Sequence, residues 1–324
     1  MKKIAIIGAG MTGLSLAYNL KGKNITIFDK SWRAGGRIST RIHDDLIFDH
    51  GAHYLSKKHN SNQLSEVLTK FDLIKEKEIL FSTDLGKNKI IKKKILIGKN
   101  GMNSIPKNIF KKINIDSHFN SKILKILKNE KNNYNLYTNR EEFKNYDLVL
   151  ICIPYLQARE LSKDYISFSN NHIPEYDPIY TLMLSFKDNT NIKIDGGLNL
   201  HDDISFVMRQ NFKFPQLKYE SWVLNMSSNY TKKNLDINNV DLEKYAISVF
   251  ENKFIINNKP FFTKTHRWLY AQTNITYNSL SKKKWINSKD NKVFLSGDWV
   301  FGKSLSDAWD AGLELSHYIK LLDI

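Results

Sequence analysis

The sequence predicts an α/β protein of two domains, a Rossmann-like dinucleotide-binding domain and a second domain built on a mixed sheet. Three observations carry this expectation. A strand–turn–helix–strand unit fills the first thirty residues, with Gly8, Gly10 and Gly13 in its turn. A strand-rich stretch runs from Pro174 to Arg267. A buried-strand pattern and a helix then return near the C-terminus, at Val293–Ser296 and Ser306–Leu322.

Ile4-Ala5-Ile6-Ile7 is a short apolar run of the kind found in buried parallel strands. Behind the glycines, Leu16, Ala17 and Leu20 recur at helical spacing, and Asn24–Phe28 is a second strand stopped by Asp29. Asn62–Phe71 is an amphipathic helix on Leu64, Val67, Leu68 and Phe71. Short strand-like pieces lie between Ile79 and Ile97, with a turn at Gly86-Lys87, and Gly101–Pro106 turns into a further helix. Phe119–Leu127, Asn135–Thr138 and Leu148–Ile153 are predicted strands, the last closed by Pro154. A helix is expected near Asp241–Phe254. The returning C-terminal pattern makes the dinucleotide domain discontinuous, with residues 1–57, 98–160 and 287–324, while 58–97 and 161–286 form the second domain.

Composition narrows the class. No apolar run approaches membrane-spanning length, and a strand beginning at about Lys3 leaves no room for a signal peptide. The single cysteine, Cys152, rules out an internal disulfide and fits a reducing compartment, so a cytoplasmic location is expected. A formal charge of +16 raises nucleic acid or an anionic surface as partners. The densest basic runs, Lys92–Lys94 and Lys282–Lys284, are short and carry no helix-turn-helix, zinc-finger or RNA-binding signature. No specific nucleic-acid partner is expected, although the positive field suits anionic ligands. No metal-ligand set is identified, and no motif specifies an oligomeric state.

The glycine turn is where the chemistry starts. Gly8 permits the tight turn after the strand, Gly10 lets the backbone approach a pyrophosphate, and Gly13 lets the helix pack closely on the strand. The helix opening at Met11 and Thr12 offers N–H groups to the anion. Asp29, following Phe28, stands where a carboxylate accepts hydrogen bonds from a ribose diol, which disfavours a 2′-phosphate. The dinucleotide at this point is FAD or NAD.

Three further segments separate the two. Lys30-Ser31-Trp32-Arg33-Ala34-Gly35-Gly36-Arg37 resembles the stretch after the ribose carboxylate in FAD-containing amine oxidases and their relatives. There Gly36 passes close to the ligand and Arg37 offers donors to the pyrophosphate. Phe48–Tyr54, containing Gly51, Ala52 and His53, resembles the segment against the flavin ring. Ser296-Gly297-Asp298-Trp299 resembles the C-terminal Gly-Asp motif, and Ser306-Asp307-Ala308 opens a helix towards the flavin N1–C2=O locus. Ile123 stands where such flavoproteins meet adenine through the main chain. These resemblances imply non-covalent FAD in a p-hydroxybenzoate-hydroxylase-like fold.

The middle of the chain narrows the resemblance. Gly101–Ser104, Ile153–Ala158, Trp222–Leu224 and the string His266-Arg267-Trp268-Leu269-Tyr270-Ala271 are similar to segments of bacterial renalase-like proteins. That resemblance implies an oxidase whose small-molecule substrates are the 2- and 6-dihydronicotinamide isomers of NAD(P)H. Hydride goes to flavin N5, and dioxygen returns the flavin with hydrogen peroxide and NAD(P)⁺ as products. An amine oxidase of the same superfamily is the alternative, and a nucleotide-binding protein without redox turnover is a third reading. The implied pocket residues are His53, Arg209, Trp222 and Trp268, with Tyr54, Asn225, His266 and Tyr270 nearby in sequence. Three places depart from the family: His53 replaces a common glutamine, Asn225 a common histidine, and Arg209–Pro215 is a looser version of its Arg-Asn-x-Ser-Lys-Pro. Trp222, Trp268 and Tyr270 are either pocket walls or core aromatics, and His266 is either a pocket residue or a satisfied core histidine.

Overall fold

The computed structural model describes residues 1–56, 62–83 and 89–322. Its first sheet has six strands, in the order Ile286–Asn287, Val293–Leu295, Leu148–Ile151, Lys3–Ile7, Asn24–Phe28 and Asp116–His118. All neighbours are parallel except the antiparallel edge pair at Ile286–Asn287. The N-terminal strand is apolar throughout because both of its faces are covered. Ile4 and Ile6 pack with Leu14, Ala17 and Leu315 from the helices Met11–Asn19 and Leu305–Leu321. Ala5 and Ile7 pack on the other side with Tyr134, Leu136, Tyr155 and Trp299. Strands from the two ends of the sequence therefore share one sheet.

The second sheet has seven strands, in the order Phe262–Ile275, Glu175–Phe186, Glu220–Met226, Ile204–Arg209, Gly196–His201, Ile74–Ser82 and Ile90–Gly98. It is mixed, since Gly196–His201 runs parallel to Ile74–Ser82 while the other pairs are antiparallel. Alternation along these strands sorts residues between two faces. Leu182, Leu184, Trp222 and Leu224 pack against Ala246 and Phe250 of the helix Asn239–Phe254. Met183 and Val223 face the opposite way, against Leu46 and Phe48 of the small hairpin Thr40–His43/Leu46–Asp49. That second face, with Thr181 and Asn225, looks towards the first sheet's cleft.

Two expectations need correction. Phe119–Leu127 is not one strand: a strand ends at His118, another begins at Lys125, and Asn120 between them has φ 54°. The intervening amides of Asn120 and Ser121 donate to the carbonyls of Ser31 and Asp29, so this segment closes over the chain that follows the strand Asn24–Phe28 rather than extending a ladder. The pieces between Ile79 and Ile97 are parts of one long ribbon, paired from Ile74↔Gly98 to Ser82↔Ile90. The turn at Gly86-Lys87 lies outside the described residues. Among the described residues no helix is long and apolar enough to cross a membrane.

Candidate cofactor and substrate site

A cleft of about 2320 Å³ opens between the two sheets. Its first wall is the glycine turn. Gly8 has φ +110°, and a side chain there would meet the Cys152 carbonyl at 2.5 Å. A Cβ on Gly13 would lie 2.0 Å from the Gly8 carbonyl oxygen, so the helix can approach the strand only without one. Gly10 differs: a Cβ there would meet nothing within 4 Å and would project into the cleft, opposite Gly36. The helix starting at Met11 has neither a side-chain cap nor an acid in its first turn. Its amide end is left for an anion.

This contrast yields a prediction. Gly10→Val, at φ −76°, keeps the fold but fills the cradle, so purified protein holds little FAD by flavin absorbance at an unchanged melting temperature. Gly8→Val instead lowers the melting temperature, since its φ and the Cys152 carbonyl both oppose a side chain.

Asp29 closes the strand Asn24–Phe28 and accepts the Ala9 and Ser31 amides, each at 2.7 Å. Burial raises its carboxyl pKa above the ordinary value, and the two amides offset this only in part. An ionised carboxylate so placed is an acceptor for ribose hydroxyls. Phe28 is buried beneath, stacked on His118, while Lys30 is exposed at the rim. Ile123 lines the cleft in the segment that the Asp29 and Ser31 carbonyls tie down.

Arg37 and Asp298 meet across the cleft at 2.6 Å. Arg37 also donates to the Tyr270 and Ala271 carbonyls, and Asp298 accepts the Thr273 hydroxyl. Burial alone would lower the Arg37 pKa, but the adjacent carboxylate more than offsets it and holds the guanidinium firmly charged. Gly297 precedes this aspartate on the same wall, and the C-terminal helix arrives beside it. Ser304 caps that helix, and Asp307 completes a capping box with it, its amide and carboxylate both engaged there. The helix thus begins at Leu305, and the Asp307 side chain serves the cap instead of reaching towards a ligand. Ala308 accepts the Thr12 hydroxyl at 2.7 Å, joining the first and last helices.

The far end of the cleft is built on the Gly51–His53 loop. A Cβ on Gly51 would lie 1.9 Å from the Arg37 carbonyl, and the Ala52 amide donates to that same carbonyl. The His53 ring is fixed at both nitrogens. Nδ1 lies 3.0 Å from the Asp49 carbonyl, which can only accept, so Nδ1 carries the proton. Nε2 then accepts from Asn225 Nδ2, and Asn225 Oδ1 accepts the Thr181 hydroxyl. Burial and the Lys213 charge push His53 down to about 3. Phe206 stacks on its ring at 4.2 Å.

Beneath this loop lies a buried ion pair that the sequence reading did not identify. Lys213 Nζ is 3.0 Å from Asp49 Oδ2 and 2.6 Å from the His53 carbonyl, and both side chains are 1% exposed. Asp49 Oδ1 accepts the Thr40 hydroxyl and the Met102 amide, and the Gln210 side chain accepts the Asp49 amide. One readable signal was a lysine set between Phe212 and Phe214-Pro215, an apolar place for a charge.

The structure brings together Trp268, His266, Tyr270, Tyr54, Asn225 and His53, all lining the cleft. It removes Arg209 and Trp222 from the pocket. These two are cross-strand partners and so share a face, the one turned towards the helix Asn239–Phe254. Trp222 is fully buried against Phe250, with Arg209 packed over its ring at 4.9 Å. Arg209 donates to the Ile192 and Ile194 carbonyls and contributes to stability there. Gly13 likewise packs helix on strand and does not line the cleft. Cys152 lines it but is buried, and burial pushes its thiol well above the usual range, which leaves it unreactive. Among the described residues no cluster of His, Cys, Asp and Glu could hold a metal ion.

With this geometry in hand, the chain can be compared with known proteins. Residues 6–71 match the family described as an NAD(P)-binding Rossmann-like domain. Mitochondrial protoporphyrinogen oxidase of Nicotiana tabacum is 43% identical over 58 residues, 17% of this chain and 12% of its own length. The L-amino-acid oxidase of Crotalus adamanteus is 40% identical over 74 residues, 22% of this chain and 14% of its own. These curated relatives are thus matched over a small part of their length. Whole-chain likeness is structural. Cyclohexylamine oxidase of Brevibacterium oxydans IH-35A aligns with a TM-score of 0.74, 10% identity and 100% coverage of both chains. A putrescine oxidase aligns at 0.71 with 10% identity and 99% coverage of both, and an oxidoreductase from Methanosarcina mazei at 0.71 with 12% identity, covering 97% of this chain and 100% of its own. The whole-chain likeness shows a shared fold, a Rossmann-like dinucleotide-binding domain joined to a mixed-sheet domain. The open space at Gly10, the uncapped helix end and the Asp29 carboxylate fit a dinucleotide.

Proposed function

We propose that the chain is an FAD-dependent oxidase acting at a carbon bonded to nitrogen, with dioxygen as the final acceptor and hydrogen peroxide as product. Bound FAD would supply the hydride acceptor and the route for electrons to oxygen. FAD would be held by Gly8, Gly10, Met11, Thr12, Asp29, Gly36, Arg37, Ile123 and Asp298 at its dinucleotide end, and by Gly51, Ala52 and His53 at the flavin.

An amine is the substrate class we favour. The observation that carries it is the charge around the far end of the cleft, where neutral histidines and aromatic rings stand beside guanidiniums. His50 is pushed down to about 3 and His266 to about 4, burial leading in each case and Arg41 contributing to both. Positive neighbours disfavour an ammonium ion, so a bound amine loses its proton more readily and presents the lone pair that hydride departure requires. Cyclohexylamine oxidase and putrescine oxidase, named for amines, share the whole fold and support this reading. The dihydronicotinamide isomers remain the second reading. Trp268, Phe206 and Tyr54 offer faces for stacking a ring that is already a hydride donor and needs no base.

One experiment separates the readings: anaerobic mixing of FAD-loaded protein with primary and secondary amines and, separately, with partly isomerised NADH. Bleaching of the flavin by amines is the expected result. Bleaching by isomerised NADH alone replaces the amine reading with the second one. A flavin that neither substrate class bleaches removes the oxidase reading altogether.

A further inference from the structure

We propose that the far end of the cleft contains an anion subsite, formed by Arg41 and Arg33 beside the His50–His266–Trp268 wall, that holds a carboxylate or phosphate carried by the substrate. This inference rests on the oxidase reading and deepens it by naming a substituent of the substrate.

Arg41 stands on the hairpin strand Thr40–His43, half-buried and lining the cleft. Its charge reaches two rings on different elements, His50 at the end of the hairpin and His266 on the strand Phe262–Ile275. Those rings lie 5.1 Å apart edge to face, and Trp268 packs on both, at 5.6 Å from His50 and 4.1 Å from His266. The Trp268 indole N–H donates to the His50 carbonyl at 3.0 Å, fixing the wall. Arg33 also lines the cleft: one of its nitrogens donates to the Thr40 carbonyl at 2.6 Å, next to Arg41 in the chain, and its charge too is felt at His50. Burial lowers the Arg33 pKa.

Among the described residues neither guanidinium forms an ion pair. Of the carboxylates lining the cleft, Asp298 is engaged by Arg37, Asp177 by Lys232, Glu160 by Lys163 and Asp307 by its helix cap. Arg33 lies over the Trp32 ring at 4.4 Å, and two cleft-lining guanidiniums without a counter-charge attract an anion. A guanidinium meets a carboxylate or phosphate with two parallel N–H donors, which suits this role better than an ammonium. Neutral histidines add N–H donors without adding charge. The cofactor's own pyrophosphate would be held by the glycine cradle and Arg37, so an anion held at Arg41 would belong to a second molecule.

The test uses FAD-loaded protein titrated with benzoate, phenyl phosphate and the neutral isostere benzamide, read by flavin difference absorbance and tryptophan quenching. Both anions are expected to bind, and benzamide about tenfold or more weaker. Arg41→Met should weaken the better-binding anion by about 10- to 100-fold, the usual worth of hydrogen bonds to a charged group, with benzamide and FAD affinities unchanged. Arg41→Lys, which keeps the charge and loses the fork, should fall between the two and stands in if Arg41→Met does not fold. Tighter benzoate assigns a carboxylate and tighter phenyl phosphate a phosphate. Equal binding of benzoate and benzamide by the unaltered protein overturns the subsite. Anion affinity that survives Arg41→Met, or a loss matched by an equal loss of FAD affinity, also overturns it. The underlying oxidase reading fails separately, when neither amines nor isomerised NADH reduce the flavin, and that outcome leaves the anion titration standing.

Discussion

Lys213→Met lowers the free energy of unfolding by about 3–5 kcal/mol, the usual penalty for removing one partner of a buried ion pair. The reason is the company Asp49 keeps. At 1% exposure it has no water to turn to, and among the described residues Lys213 is the cation that pairs with it. Its remaining bonds, to the Thr40 hydroxyl and the Met102 amide, are neutral donors that solvate the charge only in part. The lysine meanwhile holds the His53 carbonyl, so its loss also loosens the loop that would lie against the flavin. Burial lowers the Lys213 pKa and Asp49 raises it back in part, so the two charges depend on each other. Chemical denaturation of the single variant and of the double variant Asp49→Asn/Lys213→Met checks this. The double variant should recover much of the loss, because no unpaired charge stays buried. A single variant as stable as the parent would show that Asp49 finds another partner.

Acid is the second large effect. His50 and His53 are pushed down to about 3 and His266 to about 4, whereas each returns to about 6.5 when the chain unfolds. Between those values the unfolded chain binds more protons than the folded one, so stability falls as pH falls. Above about 6.5 the contribution is complete. Below it, each such histidine adds up to about 1.4 kcal/mol per pH unit to the slope. His53→Gln isolates one of them, since glutamine can still donate to the Asp49 carbonyl and accept from Asn225. Denaturation measured from pH 7 to pH 4 should show the variant losing stability less steeply, by about one proton's worth. An unchanged slope would mean that the folded protein accommodates a charged His53.

What could be read from the sequence follows the range of the interactions. The glycine turn was legible because strand, turn, helix and carboxylate lie within thirty residues, each constrained by its neighbours. Gly297 and Asp298 were legible through resemblance, although the Arg37–Asp298 contact itself spans most of the chain. Trp222 and Arg209 were misplaced because a strand's parity decides which face a residue takes. Asn225 and Trp222, three positions apart, cannot both face the cleft in a regular strand. Their separation was readable, but which of them faced inward depended on the helix Asn239–Phe254 covering the other side. The Asp49–Lys213 pair joins residues 164 positions apart, and nothing local announces it. Phe119–Leu127 has the composition of a strand, yet the free carbonyls of Asp29 and Ser31 draw its amides away.

The Arg37–Asp298 contact has a consequence for how the protein is made. A ribosome delivers the glycine turn long before Asp298, with the helix Leu305–Leu321 later still. Until those residues emerge, the nascent chain has a first sheet without Val293–Leu295 and an arginine without its counter-charge. FAD bound as proposed could not be enclosed before Asp298 and that helix have emerged, so its capture would follow their synthesis. A cell short of riboflavin would then accumulate full-length, colourless protein rather than stalled fragments.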